Sequence, residues 1–126
     1  MRPVQHIGNV VFFDTLFIVL VLRFESGDQM LQAVALAMQE LFGRKHCYRI
    51  GGDEFVAVLR NRQDSSVENS AQMLEKILAR RGDSVAVGVA NARVEELDID
   101  ELFKLAEKRM YAAKNEYYRS AERPER

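Results

Sequence analysis

Two adjacent carboxylates, Asp53 and Glu54, follow two adjacent glycines, Gly51 and Gly52, and lead directly into Phe55. Neighbouring acids repel one another, and solvent, a base or a cation must relieve that repulsion. Glycines carry no side chain and can take positive φ, so a bulky anionic ligand can come close to the backbone and use its N–H groups. Residue types and spacing together point to a metal held beside a phosphate-like anion, while the glycines alone would also serve a plain turn. A further acid, Asp14, stands within Val10-Val11-Phe12-Phe13-Asp14-Thr15-Leu16-Phe17. Burying a carboxylate in so apolar a run is costly unless a cation or hydrogen bonds compensate it; otherwise Asp14 is a strand-end acid facing solvent. His46 and Cys47 are adjacent, but successive strand side chains point to opposite faces, which makes them a poor nucleophile–base pair.

The elements that must position these groups follow from the apolar pattern. His46 to Ile50 and Phe55 to Leu59 read as strands joined at a hairpin tip by Gly51 and Gly52. Val10 to Asp14 reads as a buried strand, and Thr15 to Phe24 has strand composition with no turn signal to place it. A helix is expected from near Gly27, with Ser26 and Gln29 at capping-box spacing, an inward stripe of Leu31, Val34, Met38 and Leu41, and Gly43 as its stop. A second helix, announced by Ser65 with Glu68, carries Val67, Ala71, Leu74 and Leu78 inward and ends near Gly82. Val85, Val87 and Val89 alternate with Ala86, Gly88 and Ala90, as in a strand packed on both faces. A third helix begins after Asp98 and runs to about Tyr118 on a stripe of Leu102, Ala106, Met110, Ala113 and Tyr117. The polar tail 120–126 is expected to be disordered. The pattern predicts an α/β sandwich (α+β) of helices on a sheet.

Composition sets outer limits. The chain has 126 residues, 48% of them hydrophobic and 29% charged, which suits one domain with a modest core. Eighteen basic and nineteen acidic residues leave a net charge of −1, so no global field recruits nucleic acid or an anionic membrane. The longest apolar run, Leu16 to Leu22, is too short for a membrane span. Cys47 is the only cysteine, which excludes an internal disulfide and fits a reducing, cytoplasmic setting.

Arg49-Ile50-Gly51-Gly52-Asp53-Glu54-Phe55-Val56-Ala57-Val58-Leu59 resembles the hallmark of the GGDEF family, bacterial diguanylate cyclases that condense two GTP into cyclic di-GMP. The similarity continues through Ser84 to Ala90 and Leu102 to Lys114, and so spans about residues 25 to 119. The resemblance implies a nucleotidyl-cyclase or ferredoxin-like βαββαβ core over residues 1–119, with residues 1–24 divergent. It also implies Mg²⁺ (or Mn²⁺) held by Asp53, Asp14 and the Thr15 carbonyl, with Glu54 in a supporting acidic role. Gly51 and Gly52 would admit the triphosphate, Asp28 would accept hydrogen bonds from guanine, and Lys114 would reach a phosphate. Read without the family, Asp28 is a first-turn helix acid and Lys114 a solvated lysine. The implied substrate is GTP, and a homodimer is needed because each subunit supplies half a site.

The chain also departs from the family pattern. After the first-strand acid the family carries a second acid two residues on, a Phe-Lys, an Asn for guanine and a Gly-His. Counted from Asp14, those positions fall in Thr15 to Phe24, which is almost wholly apolar and places Leu16 where the second acid belongs. The family's Arg-x-x-Asp inhibitory motif is replaced by Phe42-Gly43-Arg44-Lys45, and its lead-in motif would precede residue 1. The expectation is a cyclase-like domain of impaired activity. The alternatives are an inactive GGDEF-fold interaction module, or a dimerisation or membrane-surface role for Leu16 to Phe24.

Overall fold

The long apolar run becomes the spine of the molecule. The computed structural model describes residues 3–7, 10–25 and 31–121. Its elements are β1 (Pro3–Ile7), β2 (Val10–Phe13), β3 (Thr15–Glu25), α1 (Leu31–Phe42), β4 (Cys47–Arg49), β5 (Glu54–Arg60), α2 (Asp64–Arg80), β6 (Ser84–Arg93) and α3 (Ile99–Ala121). From β3 to β6 the order is βαββαβ, and the four strands pair antiparallel in the spatial order β4-β5-β3-β6. This is the ferredoxin-like arrangement that the family resemblance implies.

Strand β3 has helices on both faces, which explains why its sequence shows no polar alternation. Phe17, Val19 and Val21 point into a core shared with α1 and α2, alongside Phe55, Ala57 and Leu59 of β5. Leu16, Ile18 and Leu20 point the other way and pack with Val56, Ala86 and Ala90 under Leu102, Ala106 and Met110 of α3. Each such side chain is fully or almost fully buried and contributes about 1.5–3 kcal/mol of burial free energy. Gly88 makes the α3 layer possible. A Cβ there would clash with the Ala106 carbonyl and lie 2.5 Å from Met110 N, so only glycine lets the helix backbone come this close.

Among the described residues, helix ends follow their local signals with one exception. Gly43 (φ +96°) and Gly82 (φ +84°) take the left-handed conformations that stop α1 and α2. Asp98 Oδ1 accepts the Glu101 N–H at 3.2 Å and caps α3. Ser65 does not cap α2, because the helix already starts at Asp64 and the residue before it, Gln63, offers no side-chain cap. The expected cap of α1 at Ser26, Gly27 and Gln29 lies outside the described residues. Val10–Phe13 is a strand as predicted, but it pairs only with Pro3–Ile7 in a separate two-stranded sheet. The first strand of the βαββαβ core is Thr15–Glu25 instead.

Candidate functional site

Register decides what the hairpin faces. Strands β4 and β5 pair from Cys47↔Ala57 to Arg49↔Phe55, and Ile50 N donates to Glu54 O at 2.9 Å, so Gly51 to Asp53 form the predicted tip. Neither glycine has positive φ. Gly52 borders open space, since a Cβ there would meet nothing within 4 Å, whereas a Cβ on Gly51 would lie 3.3 Å from Glu54 Oε1. The Arg49 guanidinium folds over the tip and donates to the carbonyls of Gly51 (3.1 Å) and Gly52 (2.8 Å), which fixes the turn.

Seven residues of β3 face β5, from Leu16↔Arg60 to Leu22↔Glu54. One step beyond the last pair, Arg23 stands opposite Asp53: Arg23 N donates to Asp53 O at 2.8 Å. The side chains meet as well, with Arg23 Nε and Nη2 donating to Asp53 Oδ1 at 3.0 and 2.9 Å. Arg23 is 7% exposed and the Asp53 side chain 52%, so a nearly buried guanidinium reaches a half-solvated carboxylate. Strand alternation puts Arg23 on the α1/α2 face with Val21 and Phe55.

Asp14 is at the opposite end of the sheet. Arg60 Nε donates to Asp14 Oδ1 at 3.2 Å and Arg60 Nη2 pairs with Asp14 Oδ2, while Asp14 O accepts Val94 N at 2.9 Å. Nine residues at about 3.3 Å each separate Asp14 from Arg23 by roughly 30 Å. The structure therefore corrects the expectation that Asp14 and Asp53 share a metal. The Thr15 carbonyl is likewise remote, accepting Asn61 N at 3.1 Å, while Asn61 Oδ1 accepts Thr15 N at 3.1 Å. The physical reason is the burial of Leu16 to Val21 on both faces: it makes this run a continuous strand and carries its chemical end to Arg23, not Asp14.

Counted from Arg23, only Phe24, Glu25 and Ser26 precede Gly27-Asp28. Three residues are too few for the family's Phe-Lys, Asn and Gly-His. Asp28 itself lies outside the described residues. Glu54 is half-buried at the start of β5 and, by alternation with Phe55, faces the α3 side. On that side Lys114 Nζ sits 5.8 Å from the centroid of the Phe24 ring, within cation–π range. Phe24 also packs on Tyr117 (5.0 Å) and Tyr118 (5.5 Å), and Tyr117 OH hydrogen-bonds Ser84 Oγ at 3.2 Å. Asp53 and Lys114 thus lie on opposite faces of the sheet, each engaged by a neighbour.

The donor set at the tip does not fit a divalent cation. Asp53 Oδ1 already accepts two bonds from a guanidinium, whose charge repels a metal, and among the described residues no three acidic, His or Cys side chains converge on one point. Cys47 is no nucleophile either. Its thiol donates to the carbonyls of Gly43 (3.3 Å) and Met38 (3.5 Å), and burial raises its pKa. Arg23 is the residue that reading the motif missed. Matching strand lengths would have found it, since Glu54 to Arg60 can pair with Leu16 to Leu22 only if Arg23 meets Asp53.

Comparison with known proteins fits this architecture. The family model for "Diguanylate cyclase, GGDEF domain" matches residues 24–119. Diguanylate cyclase DgcN of Escherichia coli is 31% identical over 102 residues, an alignment covering 72% of this chain and 25% of that protein, so the chain spans about a quarter of its relative. The active GGEEF domain of a diguanylate cyclase from Vibrio cholerae superposes with a TM-score of 0.70 at 21% identity, over 81% of this chain and 78% of that one. The FimX GGDEF domain from Pseudomonas aeruginosa gives 0.66 at 17%, covering 82% and 76%. The GGDEF domain of DgcB from Caulobacter crescentus, solved in complex with c-di-GMP, gives 0.64 at 17%, covering 81% and 73%. No helix among the described residues is long and apolar enough to cross a membrane. With the match running from Phe24 at the end of the central strand to Arg119 on α3, the chain belongs to the GGDEF domain family.

Proposed function

We propose that this domain is a non-catalytic GGDEF-fold interaction module in cyclic di-GMP signalling. One observation carries the reading: the carboxylate that the family motif reserves for a metal is held by Arg23. An arginine stays protonated under all ordinary conditions, so this cation cannot leave as a metal ion does. Two further features support it. Lys114 is drawn over the Phe24 ring instead of standing free for phosphate. No residues separate Arg23 from Gly27-Asp28 in sufficient number to hold guanine, and each lost hydrogen-bonding partner costs about 1–3 kcal/mol.

The cyclase reading, with GTP, magnesium or manganese and a catalytic homodimer, keeps one observation in its favour, the intact open hairpin at Gly51 to Phe55. Turnover decides between the two. The purified, nucleotide-free chain, incubated with GTP and Mg²⁺ or Mn²⁺, is expected to form no cyclic di-GMP. Product appearing at a rate on the order of one per second, ordinary for an enzyme, would refute the module reading.

A further inference from the structure

Strand β6 ends the sheet on one side, and its outer edge is unpaired among the described residues. Its ten residues, Ser84–Arg93, make it long for an edge strand, which is commonly short or covered because free N–H and C=O groups template further pairing. Register shows which groups are free. Val94 N donates to Asp14 O at 2.9 Å, so the even-numbered residues of β6 bond to β3, and Val85, Val87, Val89 and Asn91 turn their N–H and C=O groups outward. Only one of those groups is met among the described residues: Val89 O accepts Arg109 Nη1 at 2.7 Å.

The same odd positions carry their side chains to the α2 face, where Val85, Val87 and Val89 are only partly buried. Between Val87, Val89 and α2 runs a cleft of about 430 Å³. Its floor is Phe17, Ala71, Val87 and Val89, and its far wall is Asp64, Glu68, Gln72 and Glu75, one stripe of α2. Among the described residues none of these three acids makes an ion pair, and burial together with Glu68 raises the Glu75 pKa, as expected where carboxylates crowd without a counter-ion. Arg109 belongs to α3 on the opposite face, yet it reaches round the edge and is the one basic residue lining the cleft.

An extended chain laid along this edge satisfies backbone and charge together. Its amides and carbonyls would bond to the free groups of Val87, Val89 and Asn91, and every second side chain would enter the cleft beside the valines. A lysine or arginine there lays its aliphatic stem on the apolar floor and sets its charge against the α2 stripe. The spacings agree, since Asp64 and Glu68 are about 6 Å apart along the helix and alternate strand residues about 6.8 Å. We propose that the outer edge of β6 is a docking site for an extended basic segment of a partner protein, which adds a further strand to the sheet and displaces Arg109 from Val89 O. A second copy of the chain is the poorer occupant, because an antiparallel β6 pair about a twofold axis brings two acidic α2 stripes side by side. The edge is two strands from β5 and the hairpin, so its test and the GTP turnover assay succeed or fail separately.

Amide NMR and hydrogen exchange of the full chain, titrated with a short peptide of alternating lysine and valine, test the assignment. The controls are a backbone N-methylated analogue of equal charge and a peptide of alternating glutamate and valine. The lysine peptide alone should give saturable shifts at Val87, Val89 and Asn91 and slow the exchange of those amides. Glu68→Gln combined with Glu75→Gln should weaken that binding about threefold or more, while Arg109→Ala, which frees Val89 O and removes a competing cation, should tighten it about twofold or more. Equal binding of the N-methylated analogue would reveal charge attraction without strand pairing and overturn the proposal. So would absence of saturation, or an affinity unchanged in the folded acid variant. Protection of the same amides that rises with protein concentration in the peptide-free chain would assign the edge to a second copy, and equally overturn it.

Discussion

Asp53→Asn gives opposite signs for the two roles that a carboxylate at the hairpin tip can have. If Asp53 were kept for a metal, the metal-free protein would carry two adjacent acids in mutual repulsion, and neutralising one would leave stability unchanged or slightly raised. If Asp53 is the structural partner of Arg23, the substitution weakens two charge-assisted hydrogen bonds of 3.0 and 2.9 Å to a guanidinium only 7% exposed. Breaking a buried pair costs about 3–5 kcal/mol and an exposed one about 0–1. With Asp53 half in solvent and Arg23 out of it, the expected loss is about 1–3 kcal/mol, on the order of 4 °C in midpoint per kcal/mol. Urea unfolding of the parent, Asp53→Asn, Arg23→Met and the double variant, all in a chelator, measures both the loss and the coupling. The coupling energy should be about 1–2 kcal/mol. An Asp53→Asn protein at least as stable as the parent, or additive single effects, would refute the ion-pair reasoning.

Arg23→Asp places a second carboxylate opposite Asp53, so calorimetry should detect tighter Mn²⁺ binding than in the parent, still without GTP turnover. Gly88→Ala drives a methyl into the α3 backbone at Ala106 and Met110 and should cost at least about 3 kcal/mol or abolish folding, read by circular dichroism. Glu75, whose pKa is raised in the folded state, binds more protons folded than unfolded between its two pKa values. Its contribution to stability therefore falls as pH rises through that window. Glu75→Gln should stabilise the protein at neutral pH and lose that advantage in acid; equal unfolding free energies for variant and parent across the pH range would count against this.

Much of the architecture was legible because local and global signals agree. The hairpin at Gly51 to Asp53, the stops at Gly43 and Gly82, the Asp98 cap and the buried positions Val34, Met38, Val67, Ala71, Leu74, Leu78, Leu102, Ala106 and Met110 can be read directly from residue types, whereas Tyr117, expected in the α3 stripe, is 40% exposed. The site was harder. Asp14 looked buried because Val10 to Phe17 are apolar on both sides of it, yet the two apolar runs belong to different sheets and Asp14 stands at the junction. The run Leu16 to Leu22 looked like a damaged polar segment because periodicity cannot tell a doubly covered strand from a replaced loop. Only pairing against β5 supplies the register, and with it the contact between Arg23 and Asp53. The burial of Asp83 has no sequence signature, since it arises only from tertiary packing.

The central position of β3 also shapes how the chain must fold as it is made. Leu16 to Val21 leave the ribosome early, but their partners on β5 and β6 come much later, with Leu16 waiting for Arg60 and then for Ala92. At synthesis rates of about 5–20 residues per second, Leu16 waits roughly 2–9 s for Arg60 and roughly 4–15 s for Ala92. The strand is an apolar segment with two open edges until β5 emerges and one until β6 does, long enough to meet other nascent chains many times. Folding of this domain is therefore gated by emergence of β6, and a ribosome stalled before Ala86 should hold β3 in a chaperone-bound, protease-sensitive state. Release past Arg93 closes the second edge.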